Sequence, residues 1–295
     1  NAVYSFTATG DRSLVANFEE VISIAATASP SAGGTVTGHG DFSPGTAVSL
    51  TAIASEGYNF VDWTEGETEV STETEFSFTA SANRTLVANF QIQSFVITAV
   101  GDFTDGVNVT GGGTYNFGET VSLLAIPGIG YDFVNWKEDG EIVSELTSMS
   151  FLAKANRDLI AHFQPQTYEI QATPNIAGAG EISGAGAYSY LASAEVTATP
   201  SAGYSFVNWT ENGQTRSSNV TFGFTVTGNR TLVANFELKS FAITTTSNPV
   251  EGGSTVGSDN YSYGSSVSVV ATPGTGYNFV NWTENGTEVS TDLTY

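Results

Sequence analysis

Apolar and polar residues alternate along many short stretches of the chain, which is the two-residue period of a β-strand with one buried face. In the stretch TLVANF, Leu232, Ala234 and Phe236 share one face, and the residues between them point the other way. β-Branched and aromatic residues, which favour strands, are common in these stretches. No stretch of useful length has the 3.6-residue apolar period of an amphipathic helix. The pattern therefore predicts an all-β protein.

A tryptophan-centred phrase of the form Y-x-F-V-x-W recurs four times at a constant spacing. A second phrase, ending in A-N-F or A-H-F, recurs with the same spacing, except that its first interval is shorter by a single residue. A fixed period of this length predicts small β-domains of about 73 residues in tandem, arranged as an elongated rod. The two sets of markers are Trp63, Trp136, Trp209 and Trp282, and Phe18, Phe90, Phe163 and Phe236.

These markers divide the chain into repeats. Asn1 has the phase of Asn219 and Tyr295 has the phase of Tyr4, so we expect the parent chain to be longer at both ends. The predicted domains are the C-terminal part of a repeat at 1–18, complete repeats at 19–90, 91–163 and 164–236, and the N-terminal part of a repeat at 237–295.

Turn signals also recur at a fixed phase. Asn212-Gly213 and Asn285-Gly286 follow their tryptophans by three and four residues, and Asn-Gly accepts the positive φ angles of a type I′ hairpin. About five residues separate Phe236 from the next predicted strand, so no flexible linker is expected between repeats. Neighbouring repeats should therefore be stiffly joined.

The charge balance excludes several classes of partner. The chain of 295 residues has 30 acidic and 8 basic side chains, for a net charge of −22. Nucleic acid and anionic membrane surfaces would be repelled. The chain has no cysteine, which excludes disulfides, thiolate metal sites and cysteine nucleophiles. No apolar run approaches the ~18 residues of a membrane span.

The run G-x-x-V-x-L-x-A-x-P-x-x-G-Y-x-F-x-x-W resembles the B-repeat of internalin-type bacterial surface proteins, in its divergent Listeria–Bacteroides form. The resemblance implies an extracellular module, often in tandem in large surface or secreted proteins, with a β-grasp-like or small β-sandwich fold. Leu191 departs from the pattern, because glycine stands at the matching positions of other repeats. The residues that carry the resemblance are Gly118, Val121, Leu123, Ala125, Pro127, Gly130, Tyr131, Phe133 and Trp136, with Leu159, Ala161 and Phe163 at the end.

The repeated tryptophan has two interpretations. It is either a stacking platform for sugars or the core of each repeat. Because a small domain needs a large buried anchor, we favour the core. Strict alternation would place Phe60 and Trp63 on opposite faces of one strand. Either a β-bulge between them or a strand covered on both sides would reconcile the two, and the sequence leaves both alternatives open.

Arginine and glutamate also recur at fixed phases. They would form either an anion-binding row or, as we prefer, an arginine–carboxylate latch or a contact at a hairpin end. These residues are Arg12, Arg84, Arg157 and Arg230, and Glu65, Glu138, Glu211 and Glu284.

The sequence offers little support for a catalytic function. His39 and His162 lie at different repeat phases, so no Ser-His-Asp set is indicated, and His162 is expected to be a solvated surface residue. The acidic stretches Thr64–Glu69 and Glu138–Glu141 do not match an EF-hand calcium loop. We predict no catalytic, cofactor-binding or metal-ligating residue and no cofactor, and we do not expect an enzyme.

The function indicated is an extracellular or cell-surface repeat region of a large bacterial protein that acts as a stalk, spacer or fibre. The alternative is a polyvalent adhesive array that binds glycans or surfaces weakly through each repeat and gains avidity. The partners considered are neighbouring repeats of the same chain, identical chains in a fibre, and a glycan or surface ligand.

Overall fold

The computed structural model describes residues 3–103 and 106–295. Apart from one 3₁₀ turn at Val250–Gly252, the regular structure in these ranges is β-strand, which confirms the all-β prediction. These ranges contain no helix that is long and apolar enough to cross a membrane. The strands fall into four consecutive groups, which we call the first to fourth modules.

The first three modules contain eight strands each. The first consists of β1 (Ile22–Ser29), β2 (Gly34–Thr37), β3 (Gly40–Phe42), β4 (Ala47–Ala54), β5 (Tyr58–Glu65), β6 (Thr68–Ser71), β7 (Glu75–Thr79) and β8 (Arg84–Ile92). The second consists of β9 (Ser94–Gly101), β10 (Asn108–Thr110), β11 (Gly113–Asn116), β12 (Thr120–Ile126), β13 (Tyr131–Glu138), β14 (Glu141–Ser144), β15 (Ser148–Leu152) and β16 (Arg157–Pro165). The third consists of β17 (Thr167–Pro174), β18 (Gly180–Ser183), β19 (Gly186–Ser189), β20 (Ser193–Pro200), β21 (Tyr204–Glu211), β22 (Gln214–Ser217), β23 (Thr221–Thr225) and β24 (Arg230–Leu238).

The fourth module contains shorter strands. They are β25 (Ser240–Ile243), β26 (Gly253–Val256), β27 (Asp259–Ser262), β28 (Val270–Pro273), β29 (Trp282–Glu284) and β30 (Thr287–Ser290). In the part of the chain that the structure describes, they form three two-stranded sheets, β25-β27, β26-β28 and β29-β30.

Each of the first three modules is built from two sheets. In the first module a five-stranded sheet has the order β3-β1-β8-β5-β6, and a three-stranded sheet has the order β2-β4-β7. The first and last strands, β1 and β8, lie side by side in parallel, and the other pairs are antiparallel. The second and third modules have the same two sheets and the same strand orders.

One apolar core joins the two sheets of each of these modules. In the first module Ile24 of β1, Trp63 of β5 and Leu86 of β8 meet Leu50 of the three-stranded sheet, and all four are at most 1% exposed. Burying a tryptophan removes roughly 150–250 Å² from water, which is a large contribution for so small a domain. The module is therefore a small β-sandwich. A β-grasp fold would require a helix of three or more turns, and residues 3–103 and 106–295 contain no such helix.

A β-bulge resolves the placement of Phe60 and Trp63. The register between β5 and β8 shifts between Phe60 and Asp62, so Val61 is an extra residue in its strand. The bulge turns the next side chains over, and the Phe60 and Trp63 rings meet with centroids 6.0 Å apart. Of the two alternatives left by the sequence, the bulge is the one observed, and the third module repeats it.

The predicted hairpin turns are present. Asn212 and Gly213 have φ angles of 50° and 76°, as a type I′ turn requires, and Asp139 and Gly140 repeat this in the second module. Leu191 also keeps its turn, because it adopts a φ of 63° itself. A leucine in this left-handed region costs roughly 1–2 kcal/mol, which the matching glycines avoid.

The chain divides into two compact units. One consists of Asn1–Gly128 and Phe133–Phe163, and the other of Ile129–Asp132 and Gln164–Tyr295. The first unit holds the first module and nearly all of the second, and the second unit holds the third and fourth modules. Each unit therefore contains one junction between consecutive modules that can be described from its own contacts.

Candidate functional site

Three of the four tryptophans lie in the core. Trp63, Trp136 and Trp209 have no exposed surface, so none offers a ring face to a sugar. The indole N–H of Trp209 donates to the Val220 carbonyl at 3.1 Å, whereas the indole N–H of Trp136 is buried without an acceptor. The core interpretation of the repeated phrase is thus the one that the first three modules display.

The predicted arginine–carboxylate latch is present in each of these modules. It joins the first residue of the last strand to the last residue of the tryptophan strand, and the shortest N–O distances are 2.8, 2.6 and 2.8 Å. Hydrogen bonds from the arginine lower the pKa of each glutamate below its usual value. The pairs are Arg84–Glu65, Arg157–Glu138 and Arg230–Glu211.

An aromatic ring lies over the face of each latch guanidinium group. Arg230 lies over the Phe224 ring, with 4.1 Å between its Cζ atom and the ring centroid, and Arg157 lies 4.2 Å over Phe151. Such a contact contributes about 0.5–1 kcal/mol at partly exposed sites. In the third module Arg216 also contacts Glu211, at 3.0 Å. Each latch arginine is therefore held between a carboxylate and a ring, which leaves it little freedom to bind an external anion.

His162 lies partly at the surface, as expected, with its side chain 42% exposed. Its Nδ1 atom faces the Asp102 carboxylate, a partner that the sequence did not reveal. The other carboxylate oxygen of Asp102 accepts the Phe163 backbone N–H at 3.0 Å. His39 is exposed, as its loop position suggests. Across residues 3–103 and 106–295, no three histidine, aspartate or glutamate side chains are grouped so as to hold a metal ion.

The junction between the first and second modules consists of one residue. Gln93 alone separates β8 from β9. Its N–H donates to the Gly57 carbonyl of the first module, and its carbonyl accepts the Phe117 N–H of the second, both at 2.8 Å. Its side chain also donates to the Asn59 amide oxygen at 2.8 Å. Gln93 is thus hydrogen-bonded to both of the modules that it links.

An aromatic ring closes the same junction. Gly57 is buried, and a Cβ atom at this position would lie 2.0 Å from the Phe117 ring. The second unit repeats the arrangement between its own two modules. Lys239 is the single linking residue there; it is bonded at 2.8 Å to Gly203 and Tyr263, and the Tyr263 ring covers Gly203 in the same way. We call each pair of a buried glycine and its covering ring a junction socket.

The junction sockets were not recognised from the sequence, although a signal exists. A glycine precedes each repeated tyrosine, and in the second, third and fourth repeats an aromatic residue stands one position before the turn glycine or leucine. The two sets share the period of the repeat, but a period alone does not reveal which residues of adjacent domains touch.

Comparison with known proteins identifies the repeat. The profile of the divergent InlB B-repeat domain matches residues 24–94, 98–167, 168–240 and 243–295. A search of curated proteins finds no match. Among solved structures, the Bacillus anthracis TIE protein aligns with 12% identity and a TM-score of 0.37 over 73% of this chain.

The I-band fragment I67–I69 of titin aligns with 7% identity and a TM-score of 0.14, over 74% of this chain and 96% of that fragment. The chain spans about half, 49%, of the length of the TIE structure. Likenesses this low carry no argument about function. The four consecutive profile matches cover most of the sequence, and the chain therefore belongs to the divergent InlB B-repeat family.

Proposed function

We propose that the chain is a spacer region in which the tandem modules hold other parts of an extracellular surface protein at a distance. The repeat family suggests an extracellular surface-protein region with a structural, non-catalytic role. The observation that carries the proposal is the one-residue junction whose backbone is bonded on both sides. We also propose that the repeat domains are residues 19–90, 91–163 and 164–236, with partial repeats at 1–18 and 237–295.

The strand topology supports a spacer. Since β1 and β8 are parallel neighbours, the chain enters a module at one end of the sheet and leaves it at the other. The last strand has nine residues, so each module carries the chain forward by about 30 Å at ~3.3 Å per residue. Modules joined in this way add length with little added freedom, as a spacer requires.

The adhesive array has weaker support. An adhesive array needs free outward side chains on each repeat, but Glu211 and Arg230 bind each other and an aromatic ring. The tryptophans that could stack on sugars are buried in the first three modules.

The spacer proposal can be tested at the junction of the first and second modules. Because the chain has no cysteine, spin labels can be attached at Thr37→Cys and Ser150→Cys, two exposed strand positions. A stiff junction predicts one narrow distance distribution in pulsed electron paramagnetic resonance. A distribution spread over tens of ångströms would overturn the proposal.

The adhesive alternative needs a binding experiment. Two-module and four-module chains can be screened on the same glycan array. The spacer proposal predicts no ligand whose signal rises with module number. A signal that climbs steeply from two modules to four would favour the array, since avidity multiplies weak sites.

A further inference from the structure

The tip of the hairpin formed by β21 and β22 carries two residues that can react with each other. The loop consists of Asn212 and Gly213, and both are exposed. Glu211 and Gln214 flank the loop as the last register pair of the hairpin. In a two-residue loop the flanking residues make the ladder hydrogen bonds, so the Gly213 N–H takes no part in the ladder. The Gly213 nitrogen and the Asn212 side chain are therefore both accessible.

Other asparagines of the third module are held in place by hydrogen bonds. The side-chain oxygen of Asn229 accepts the Glu169 N–H at 2.8 Å. The Nδ2 atom of Asn235 donates to the side-chain oxygen of Asn208 at 2.7 Å. No hydrogen bond restrains the Asn212 side chain in the part of the chain that the structure describes. Its amide is thus free to turn towards the main chain.

The residue that follows an asparagine decides how easily the next main-chain nitrogen can be reached. Glycine has no Cβ atom to shield its nitrogen, whereas a β-branched residue crowds it. Asn-Gly occurs at 212–213 and 285–286, and every other asparagine of the sequence precedes a residue with a side chain. Asn219, which is also exposed in the third module, precedes Val220. The sequence therefore supplies an internal comparison for Asn212.

We propose that Asn212 is a self-modification site, at which the chain deamidates through a cyclic imide formed with Gly213. The Gly213 nitrogen bonds to Cγ of Asn212, the bond from Cγ to Nδ2 breaks, and ammonia leaves with the proton of the Gly213 N–H. Water then opens the five-membered imide. Opening at Cγ leaves aspartate, and opening at the main-chain carbonyl leaves isoaspartate. The sequence of steps consumes only water and changes no oxidation state.

The two products have different effects on the turn. Aspartate fits it, because Asp139 occupies the equivalent position of the second module with the same φ of 50°. Isoaspartate routes the main chain through the side chain and adds one carbon atom to a loop whose two residues must both keep positive φ angles. We therefore expect isoaspartate, and not aspartate, to disrupt the hairpin.

The strand that follows the loop is poorly placed to resist this change. In the described residues β22 lies at the edge of its sheet and pairs with β21 alone. A two-stranded contact of this kind is marginally stable. β22 also carries Arg216, which contacts Glu211 at 3.0 Å, so its release would remove one partner of the latch glutamate. Conversion to isoaspartate should therefore loosen one edge of the third module and leave its core in place.

The modification would accumulate with time, because neither product returns to asparagine in water. Each event also adds one negative charge to a chain whose net charge is −22. Asn285 and Gly286 repeat the turn, with φ angles of 49° and 80°, so the fourth module offers a second site. The extent of conversion would thus record the age of each copy of the protein.

Peptide mapping by mass spectrometry on the whole chain, aged in mildly alkaline buffer, tests this inference. Conversion of Asn212 raises the mass of its peptide by about 1 Da. It should be at least about 10-fold faster than conversion of Asn219, whose neighbour is β-branched. The rate should rise with pH, since the attacking nitrogen must lose its proton. Conversion of Asn212 no faster than that of Asn219 would overturn the proposal.

Asn212→Gly is the matched control, because it removes the reactive amide and keeps the turn. Gly66 stands at the same position of the first module, with a φ of 63°. In hydrogen exchange, the aged unsubstituted chain should lose protection in β22 in proportion to its isoaspartate content, whereas the aged Asn212→Gly chain should keep it. Equal loss of protection in the two chains would overturn the proposal, as would isoaspartate at residue 212 without any loss in β22.

Discussion

Replacing Gly57 with alanine should damage the junction between the first two modules more than the fold of either. Gly57 has a φ of +82° and is buried beneath the Phe117 ring. A methyl group there would lie 2.0 Å from the nearest ring carbon, so the ring must move away. Since the Gly57 carbonyl also accepts the Gln93 N–H, movement at this point reaches the linking residue itself.

The magnitude has two parts. Holding alanine in the left-handed region costs roughly 1–2 kcal/mol. Displacing a packed ring adds about 1–3 kcal/mol. Gly45→Ala is a matched control in the same module, because Gly45 has a φ of +84° but no atom within 4 Å of the added Cβ. We therefore expect Gly57→Ala to be more destabilising than Gly45→Ala by about 1–3 kcal/mol.

Hydrogen exchange read by mass spectrometry is the suitable assay, because a multi-module chain does not unfold in one two-state step. Gly57→Ala should reduce protection in both β5 and β11, whereas Gly45→Ala should act within the first module alone. The spin-label distribution across the junction should broaden only in the first variant. In a chain that also carries Phe117→Ala, the two glycine substitutions should lower the free energy of unfolding by the same amount. If Gly57→Ala and Gly45→Ala lower the free energy of unfolding equally in the otherwise unsubstituted chain, and protection in the second module does not change, the junction socket is refuted.

Three further outcomes are expected. Trp209→Phe should cost about 1–2 kcal/mol more than Trp136→Phe, since only Trp209 loses an indole hydrogen bond; thermal unfolding followed module by module would show the difference, and equal costs would contradict it. Because the pKa of Glu211 is lowered in the folded state, its latch contributes stability near neutral pH that is lost as the pH falls through that lowered value; Glu211→Gln should therefore flatten the acid limb of a denaturation series by about 1 kcal/mol, and an unchanged limb would refute the latch. Leu191→Gly should stabilise the third module by up to about 1 kcal/mol in chemical denaturation, because the left-handed turn suits glycine, and a loss of stability would show that the leucine side chain matters more.

Features set by local pattern were predictable from the sequence. Two-residue alternation gave the strands, Asn-Gly gave the type I′ turn at Asn212, and a tryptophan of fixed period gave the core. The latch was also predictable, because Glu211 and Arg230 keep one spacing in all three complete repeats. The strands and the turn depend on residues that are only a few positions apart. The core tryptophan and the latch residues repeat so regularly that chance is excluded.

Features set by non-local pairing were not predictable. Alternation alone could not choose between a bulge at Val61 and a strand covered on both sides, since that choice depends on the register with β8. The same holds for His162, whose partner Asp102 lies most of a repeat earlier in the sequence. The Phe117 ring over Gly57 joins two domains, and a single-repeat pattern carries no information about a neighbour.

The parallel contact of first and last strands also determines how a module would carry tension. A pull along the chain acts on the start of β1 and on the end of β8, and these two strands are joined by six successive register pairs from Ile24–Arg84 to Ser29–Asn89. The two forces point in opposite directions along the strands, so they shear the ladder and load all of its hydrogen bonds together. A hairpin such as β5–β6, pulled from its open end, would instead unzip one bond at a time. Each of the first three modules is thus oriented to resist stretching along the chain, and a tether made of such modules would keep its length under a load that opens a simple hairpin.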